Sequence, residues 1–505
     1  MTVPVLRLWL AATPMTVEGR RLPMGIYGRQ AGEQSQKLPK TFREFSGVFR
    51  SWAHAFQIVL LASAFSGQLH AQQAQHPSPI TLQQAVNIAL EKNPARKAAF
   101  ADTKAASADI RGARSSLLPH ITFSETATRG NDPVYVFGTK LRQQRFTTAD
   151  FSLNALNTPT PFGNFSTRFG GTWNLFDSFA SWRGVHRAER IKDAAGHQLE
   201  RTDQEVIFRV VDSYYGVLLA KKQLEIAEQS MKTAQAILNR SKDRFESGVV
   251  VESDYLSARV RIAARKQELI WAQNNLTLSR ELLSTAIGIS ENEFDPSDIL
   301  AERNLPAISL EQVERQAMEM RPDLKRIRSE EEAQQQSVSI AKSSFGPRVN
   351  AFAGWEADNP TFAAGGGGNN WLAGIELQFD LFQGGAKRAH LSHEKAVQEK
   401  VAAVKEMATD AIRLEVRRAY YDLDAARQQT EVAREAIAES KESLRINQNR
   451  YDSGLTTITE LLAAEEAARR SQTDYWESIY RSHTGYANLE LVSGTLNSQS
   501  PVVAP

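Results

Sequence analysis

Two stretches of the chain carry residue types that could do chemistry. In "HLSH", His390 and His393 stand three apart, a spacing that would place two imidazoles on one helix face as the start of a metal site. No third ligand is evident, so the pair reads as a solvated helix surface and no metal centre is assigned. The run "GGGG", Gly365–Gly368, lacks the lysine and the strand-to-helix setting of a phosphate loop, and reads as a loop between two strands. The chain has no cysteine, which removes thiol nucleophiles, thiolate metal ligands, disulfides and a lipidated cysteine together, and suits an oxidising compartment. No catalytic residue and no cofactor site is expected, and the chain is not read as an enzyme.

The longer spacings are more informative. "RFESGVVVESDYLSA", Arg244–Ala258, and "RYDSGLTTITELLAA", Arg450–Ala464, share an aromatic three residues before a glycine and lie 206 positions apart. The same offset relates "VVDSYY" at Val210 to "VRRAYY" at Val416, and Gly288 to Gly494. Upstream, "ITLQQAVNIALEKNP" at Ile80 matches "ISLEQVERQAMEMRP" at Ile308, and Pro119 matches Pro347, both at an offset of 228. The chain therefore reads as one unit repeated, residues 80–290 and 308–494, with a linker at 291–307 and a flexible tail at 495–505. The 22 surplus residues of the first unit fall between Pro119 and Val210.

Each unit reads as helix, strand, loop, strand, long helix, turn, helix. From Val206, steps of four and three residues meet Val210, Ser213, Val217, Ala220 and so on to Phe245; a second seam runs from Ile412 through Val416, Ala419 and Leu423 to Tyr451. A sustained 3.5-residue period predicts coiled-coil packing, and the small residues in it predict close approach. Proline breaks the helix before it and biases its neighbour to extended geometry, so Pro119 and Pro347 mark switches to strand. After them the period is two: Phe165, Phe169, Trp173 and Leu175 alternate with Ser166, Arg168, Thr172 and Asn174, and Trp371, Ile375, Leu377 and Phe379 alternate with Glu376, Gln378 and Asp380. Such strands have the length and pattern of membrane strands, although a small soluble sheet would alternate too. Four strands cannot close a barrel, so a spanning reading demands two chains or three, and only three leave room for a channel.

Composition fits this plan. Of 505 residues, 42% are apolar and 23% charged, outside the fibrous and disordered classes. The 60 basic and 58 acidic residues are interspersed, which argues against nucleic acid as a partner. Residues 1–71 read as a secretory region with an over-long start: basic residues Arg43 and Arg50 precede an apolar core of 11 residues, Ala55–Phe65, too short to span a bilayer. A buried N-terminal helix is the alternative reading.

The repeated plan, the "NP" of Asn93 and Pro94, "SSLLP" ending at Pro119 and the two glycine turns together resemble the TolC-type outer membrane efflux proteins, over about Ile80 to Gly494. The resemblance implies a mainly helical, internally duplicated chain whose four strands join a homotrimeric 12-stranded barrel in outer membrane lipid, continued by a coiled-coil tunnel in the periplasm. It implies an export duct that meets a periplasmic adaptor and an inner-membrane pump. The turns then become the periplasmic tips, with adaptor contacts at Gly248, Val249, Val250, Gly454, Leu455 and Thr456. The gate falls on Asp254, Tyr451 and Glu460, with Ala463 and Thr456 departing from the family's second ring acid and linking arginine. Trp173, Trp371, Ile375 and Phe379 are expected to face lipid. The reading that keeps membranes out is a coiled-coil scaffold with a small soluble sheet.

Overall fold

The computed structural model describes residues 78–289, 294–362 and 368–504; the secretory region expected at 1–71 lies outside them. The first half runs β1 (Ser78–Ile80), α1 (Leu82–Lys92), α2 (Pro94–Ser115), β2 (His120–Gly130), α3 (Pro133–Arg142), α4 (Leu153–Asn157), β3 (Phe162–Phe176), α5 (Ala180–Glu246) and α6 (Glu252–Ile287). The second runs β4 (Phe294–Pro296), α7 (Leu310–Met320), α8 (Pro322–Ser343), β5 (Arg348–Asn359), β6 (Gly368–Gln378), α9 (Ala386–Asp452) and α10 (Ile458–Ser493). Helices of 11, 22, 67 and 36 residues occur in that order in each half.

Local chemistry sets these boundaries. Thr81 and Gln84 exchange side-chain to backbone hydrogen bonds in a capping box that starts α1. Asn93 ends α1 and caps α2, accepting from the Ala95 N–H at 2.8 Å, while Pro94 takes the first helical position, where its missing N–H costs nothing. Pro119 and Pro347 each stand one residue before a strand, as expected.

At 1.5 Å per residue, α5 and α9 are rods of roughly 100 Å. Their seams from Val206 and Ile412 are buried or half-buried throughout, apart from the exposed Phe245. The main apolar core lies at mid-length, where Val206–Ala220 and Ile412–Leu423 meet the last turns of α6 and α10, helices α1 and α7, and the parallel β1–β4 pair. The linker carries structure of its own, and the flexible tail is corrected. The linker at 291–307 contains β4 and buries Leu300 and Leu305 in this core. The segment expected as a flexible tail instead buries Leu496, Val502 and Val503, and Arg303 donates to the Ala504 carbonyl at 3.0 Å. An apolar pair and a guanidinium waiting for carbonyls give that segment somewhere to go.

The other four strands form an antiparallel sheet in the order β2-β3-β5-β6. Its register aligns Phe123, Phe169, Trp355 and Trp371 in one row, flanked on the same face by Ile121, Trp173, Ile375 and Leu377. All eight are exposed. The opposite face is mainly small and polar, with Ser124, Arg168, Glu356 and Asn370 in one row, although it includes Phe352 and Leu372. Phe379 is corrected: it lies one residue beyond β6, because the ladder ends at the Arg348–Gln378 pair and Pro347 has no N–H to extend it. The surplus residues of the first half lie largely in the β2–β3 connection, 131–161, against 360–367 between β5 and β6. That connection folds α3 over the polar face. Gly368, the one described member of the glycine run, opens β6 where any Cβ would collide with the Arg142 carbonyl.

Among the described residues no helix is long and apolar enough to cross a membrane. Near the end of α10, burial pushes the Glu490 carboxyl up to about 7 from its ordinary 4.5, and one of its oxygens has no hydrogen-bond partner among the described residues. The folded chain therefore holds a proton that the unfolded chain releases near pH 4.5, so stability falls as pH rises from there to about 7 and stays lower above it. Glu490→Gln should match the parent at pH 4 and exceed it by about 2–3 kcal/mol at pH 8, read as a thermal midpoint that no longer drops over that window.

Candidate functional site

The two hairpin turns are built alike. After α5, the Gly248 N–H donates to the Phe245 carbonyl and the Val249 N–H to that of Arg244, both at 2.9 Å; after α9, Gly454 donates to Tyr451 at 3.0 Å and Leu455 to Arg450 at 2.8 Å. This is the Schellman closure, which needs a left-handed residue, and Gly248 and Gly454 have φ of 72° and 73°. Space does not require these glycines: among the described residues a Cβ at Gly248 would meet nothing within 4 Å, and one at Gly454 only Arg244 Nη2 at 3.5 Å. Gly288 and Gly494 differ. A Cβ on either would press to 2.8 Å or less against the backbone of Asn93 or Arg321. The turns thus leave their neighbours projecting, with Val249, Val251 and Leu455 exposed and Val250 and Thr456 half-buried.

Behind the turns, Tyr451 packs with Ile237, Ile458 and Leu461 in a small apolar cluster. Among the described residues its buried hydroxyl has no hydrogen-bond partner, and Asp254, in the first turn of α6, makes no side-chain hydrogen bond to it. An arginine does reach the tyrosine, from the other hairpin: Arg244 lies over the Tyr451 ring at 5.0 Å and donates to its carbonyl. Arg240 pairs with Asp452 at 3.0 Å alongside. Glu460 stands exposed in the first turn of α10, where negative charge suits the helix dipole, and the Thr456 hydroxyl donates to its carboxylate. Ala463, one turn on, is exposed on the same face.

A second cluster, about one and a half turns further along α10, is not visible from spacing alone. Arg265 of α6 is 1% exposed and donates to Glu465 at 2.7 Å, Glu466 at 2.6 Å and Glu268 at 2.7 Å. Arg261 and Arg469 complete the group. Burial opposes ionisation of Glu466, but hydrogen bonds from Arg469 and Arg265 outweigh it and hold the carboxyl at about 2. Burial likewise works against the Arg265 charge, and its three carboxylate partners push its pKa up instead. Glu465 and Glu466 are therefore committed to cross-hairpin pairing. Further from the tip, near the sheet, His390 and His393 stand exposed on α9 with Glu394 beside them, a third potential ligand where none was evident from sequence.

Residues 85–289 and 313–495 match the family model described as outer membrane efflux protein. The chain is 23% identical over 429 residues to the outer membrane protein TolC of Vibrio cholerae, covering 82% of this chain and 90% of that one. It is 25% identical over 441 residues to the protein CyaE of Bordetella pertussis, covering 84% and 86%. Among solved structures, the Campylobacter jejuni CmeC outer membrane channel superposes with a TM-score of 0.71 at 17% identity, covering 86% of this chain and 92% of that one.

The two kinds of glycine should separate by mutation. Gly248→Val strains a turn in open space, at a cost of about 1–3 kcal/mol, and should leave a folded, membrane-located protein with export abolished. Gly494→Val drives side-chain atoms into the backbone at Arg321 and should remove folded protein altogether. Immunoblots of membrane fractions beside an export assay read both; loss of folded Gly248→Val protein would make that glycine a structural one.

Proposed function

The chain belongs to the outer membrane efflux protein family, and from that membership we propose how it works as an export duct. The protein is an outer membrane duct for efflux or secretion, with its helices in the periplasm. The family is one of channels. The reading as a soluble coiled-coil scaffold is set aside.

The observation that carries the mechanism is the two-faced sheet. Four aromatic side chains cross it in one row, with Trp371 80% exposed and Ile375 in the next rows 71% exposed, while the other face is mainly polar. Its edges, β2 and β6, are unpaired among the described residues. In lipid an open edge is intolerable, so β6 of one copy pairs with β2 of the next, and three four-stranded sheets make a twelve-stranded homotrimeric barrel around a channel. Apolar stripes left exposed along the helices support further copies as neighbours: Leu256, Val260, Trp271 and Leu278 on α6, and Met407, Leu414, Tyr421 and Val432 on α9, recur at heptad-compatible steps. The matching helix lengths support an internal duplication that gives each copy two equivalent hairpins.

The tips, Gly248–Val250 and Gly454–Thr456, receive a periplasmic adaptor, and an inner-membrane pump supplies the energy. Glu460, repeated by the threefold axis, forms a ring of carboxylates at the mouth, and Tyr451 and Asp254 act between neighbouring copies. Trp173, Trp371 and Ile375 meet lipid, with Phe379 at the border.

Ile375→Arg should cost about 2–4 kcal/mol at mid-membrane depth and deplete heat-resistant oligomer in outer membrane fractions, whereas Asn370→Arg, on the opposite face, should assemble normally. Equal assembly of both would sink the lipid-facing assignment. At the mouth, like charges held together attract multivalent cations. Glu460→Ala should therefore relieve block by trivalent cations in planar-bilayer recordings, and unchanged block would remove Glu460 from the constriction.

A further inference from the structure

We propose that His390, His393 and Glu394 bind one borderline divalent transition-metal ion, of which Zn2+ is the test case, near the start of α9. The helix places the three side chains in a triangle: His390 sits one turn below the adjacent pair His393 and Glu394. One ligand atom from each lies within 4.8 Å of the others. Donors around a tetrahedral zinc, with bonds near 2.1 Å, sit roughly 3.4 Å apart. The His393 Nδ1 to Glu394 Oε1 distance is already 3.3 Å and that from His390 Nδ1 is 3.9 Å. Both imidazoles are more than half exposed, so a small rotation that closes the triangle meets no packing.

The carboxylate is the fixed member. Gln334 of α8 donates to Glu394 Oε2 at 2.7 Å and to the Glu394 carbonyl at 3.1 Å, which turns Oε1 toward the imidazoles. Hydrogen-bonded orientation of a ligand by a neighbouring side chain is the usual support of a metal site. Lys387, one turn upstream of His390, is engaged elsewhere, donating to the Asp380 carbonyl at 3.0 Å. Two nitrogens and one oxygen select zinc, nickel, cobalt or copper over magnesium and calcium, which prefer oxygen alone. Solvent supplies the fourth ligand on the open side. His390 lies about 6 Å along α9 from its first residue, so a bound ion would sit just below the sheet on a carboxylate that Gln334 already ties to α8.

The test uses the full-length chain in detergent, without a histidine tag and stripped with a chelator, titrated with ZnCl2 by calorimetry. The expected result is one Zn2+ per chain, lost in the His390→Gln/His393→Gln double variant. Binding should weaken at least tenfold in Glu394→Gln and about tenfold in Gln334→Leu. Visible ligand-field bands of Co2+ should appear with the parent and vanish with the double variant. ZnCl2 should also raise the parent's thermal midpoint and not the double variant's. No Zn2+ bound by the parent, undiminished binding by the double variant, or equal binding of Mg2+ would each overturn the proposal.

Discussion

A sheet of four strands has two edges, and everything else about this chain answers to them. Among the described residues, the outward-facing backbone N–H and C=O groups along β2 and β6 have no strand to pair with, and the aromatic row beside them is exposed. In water such a sheet would invite aggregation; in hydrocarbon it must close on itself. In the assembly proposed above, closure by identical neighbours would set the direction of the helices that leave the sheet. It would also explain why helices of 67 residues keep apolar side chains on faces that no described part of their own chain covers. The exposed stripes would then be the price of building a tube from several copies.

The periodic features were legible from sequence because each arises within one element. The steps of three and four from Val206 and Ile412 mark the faces that are buried, and Pro119 and Pro347 mark the two switches from period 3.6 to period 2. Gly248 and Gly454 were legible for the same reason, since a left-handed turn is a local demand. What pairs with what across the fold was not. Arg265 reaches Glu465 across 200 residues, and Arg244 reaches Tyr451 across 207. A charged residue in a helical pattern looks alike whether it faces water or a buried carboxylate. Glu394 was missed differently: it directly follows His393, but its value as a ligand depends on Gln334 of another helix.

The linker and the segment taken as a flexible tail hide their role in the same way. Both are short and lack periodicity, so nothing in them signals structure. Their apolar residues, Leu300, Leu305, Leu496, Val502 and Val503, nevertheless fill the core at the waist of the long helices. There Arg303 joins the two segments by hydrogen bonds to Val502 and Ala504. The waist is thus sealed by pieces from both ends of the second half, next to β1 from the start of the first.

The equal lengths of the paired helices constrain how such a chain can change. One residue added to α5 alone would lower its tip by 1.5 Å and turn it by about 100°, which would set the turn at Gly248 out of level with that at Gly454 and move the seam off its partner. Seven residues keep the seam but still displace the tip by roughly 10 Å. Only whole heptads, added to both arms of both hairpins together, preserve a level rim. With 67 and 36 residues in each half, reach across the periplasm is therefore a quantised property, and ducts of this design should differ in length by discrete steps rather than by gradual drift.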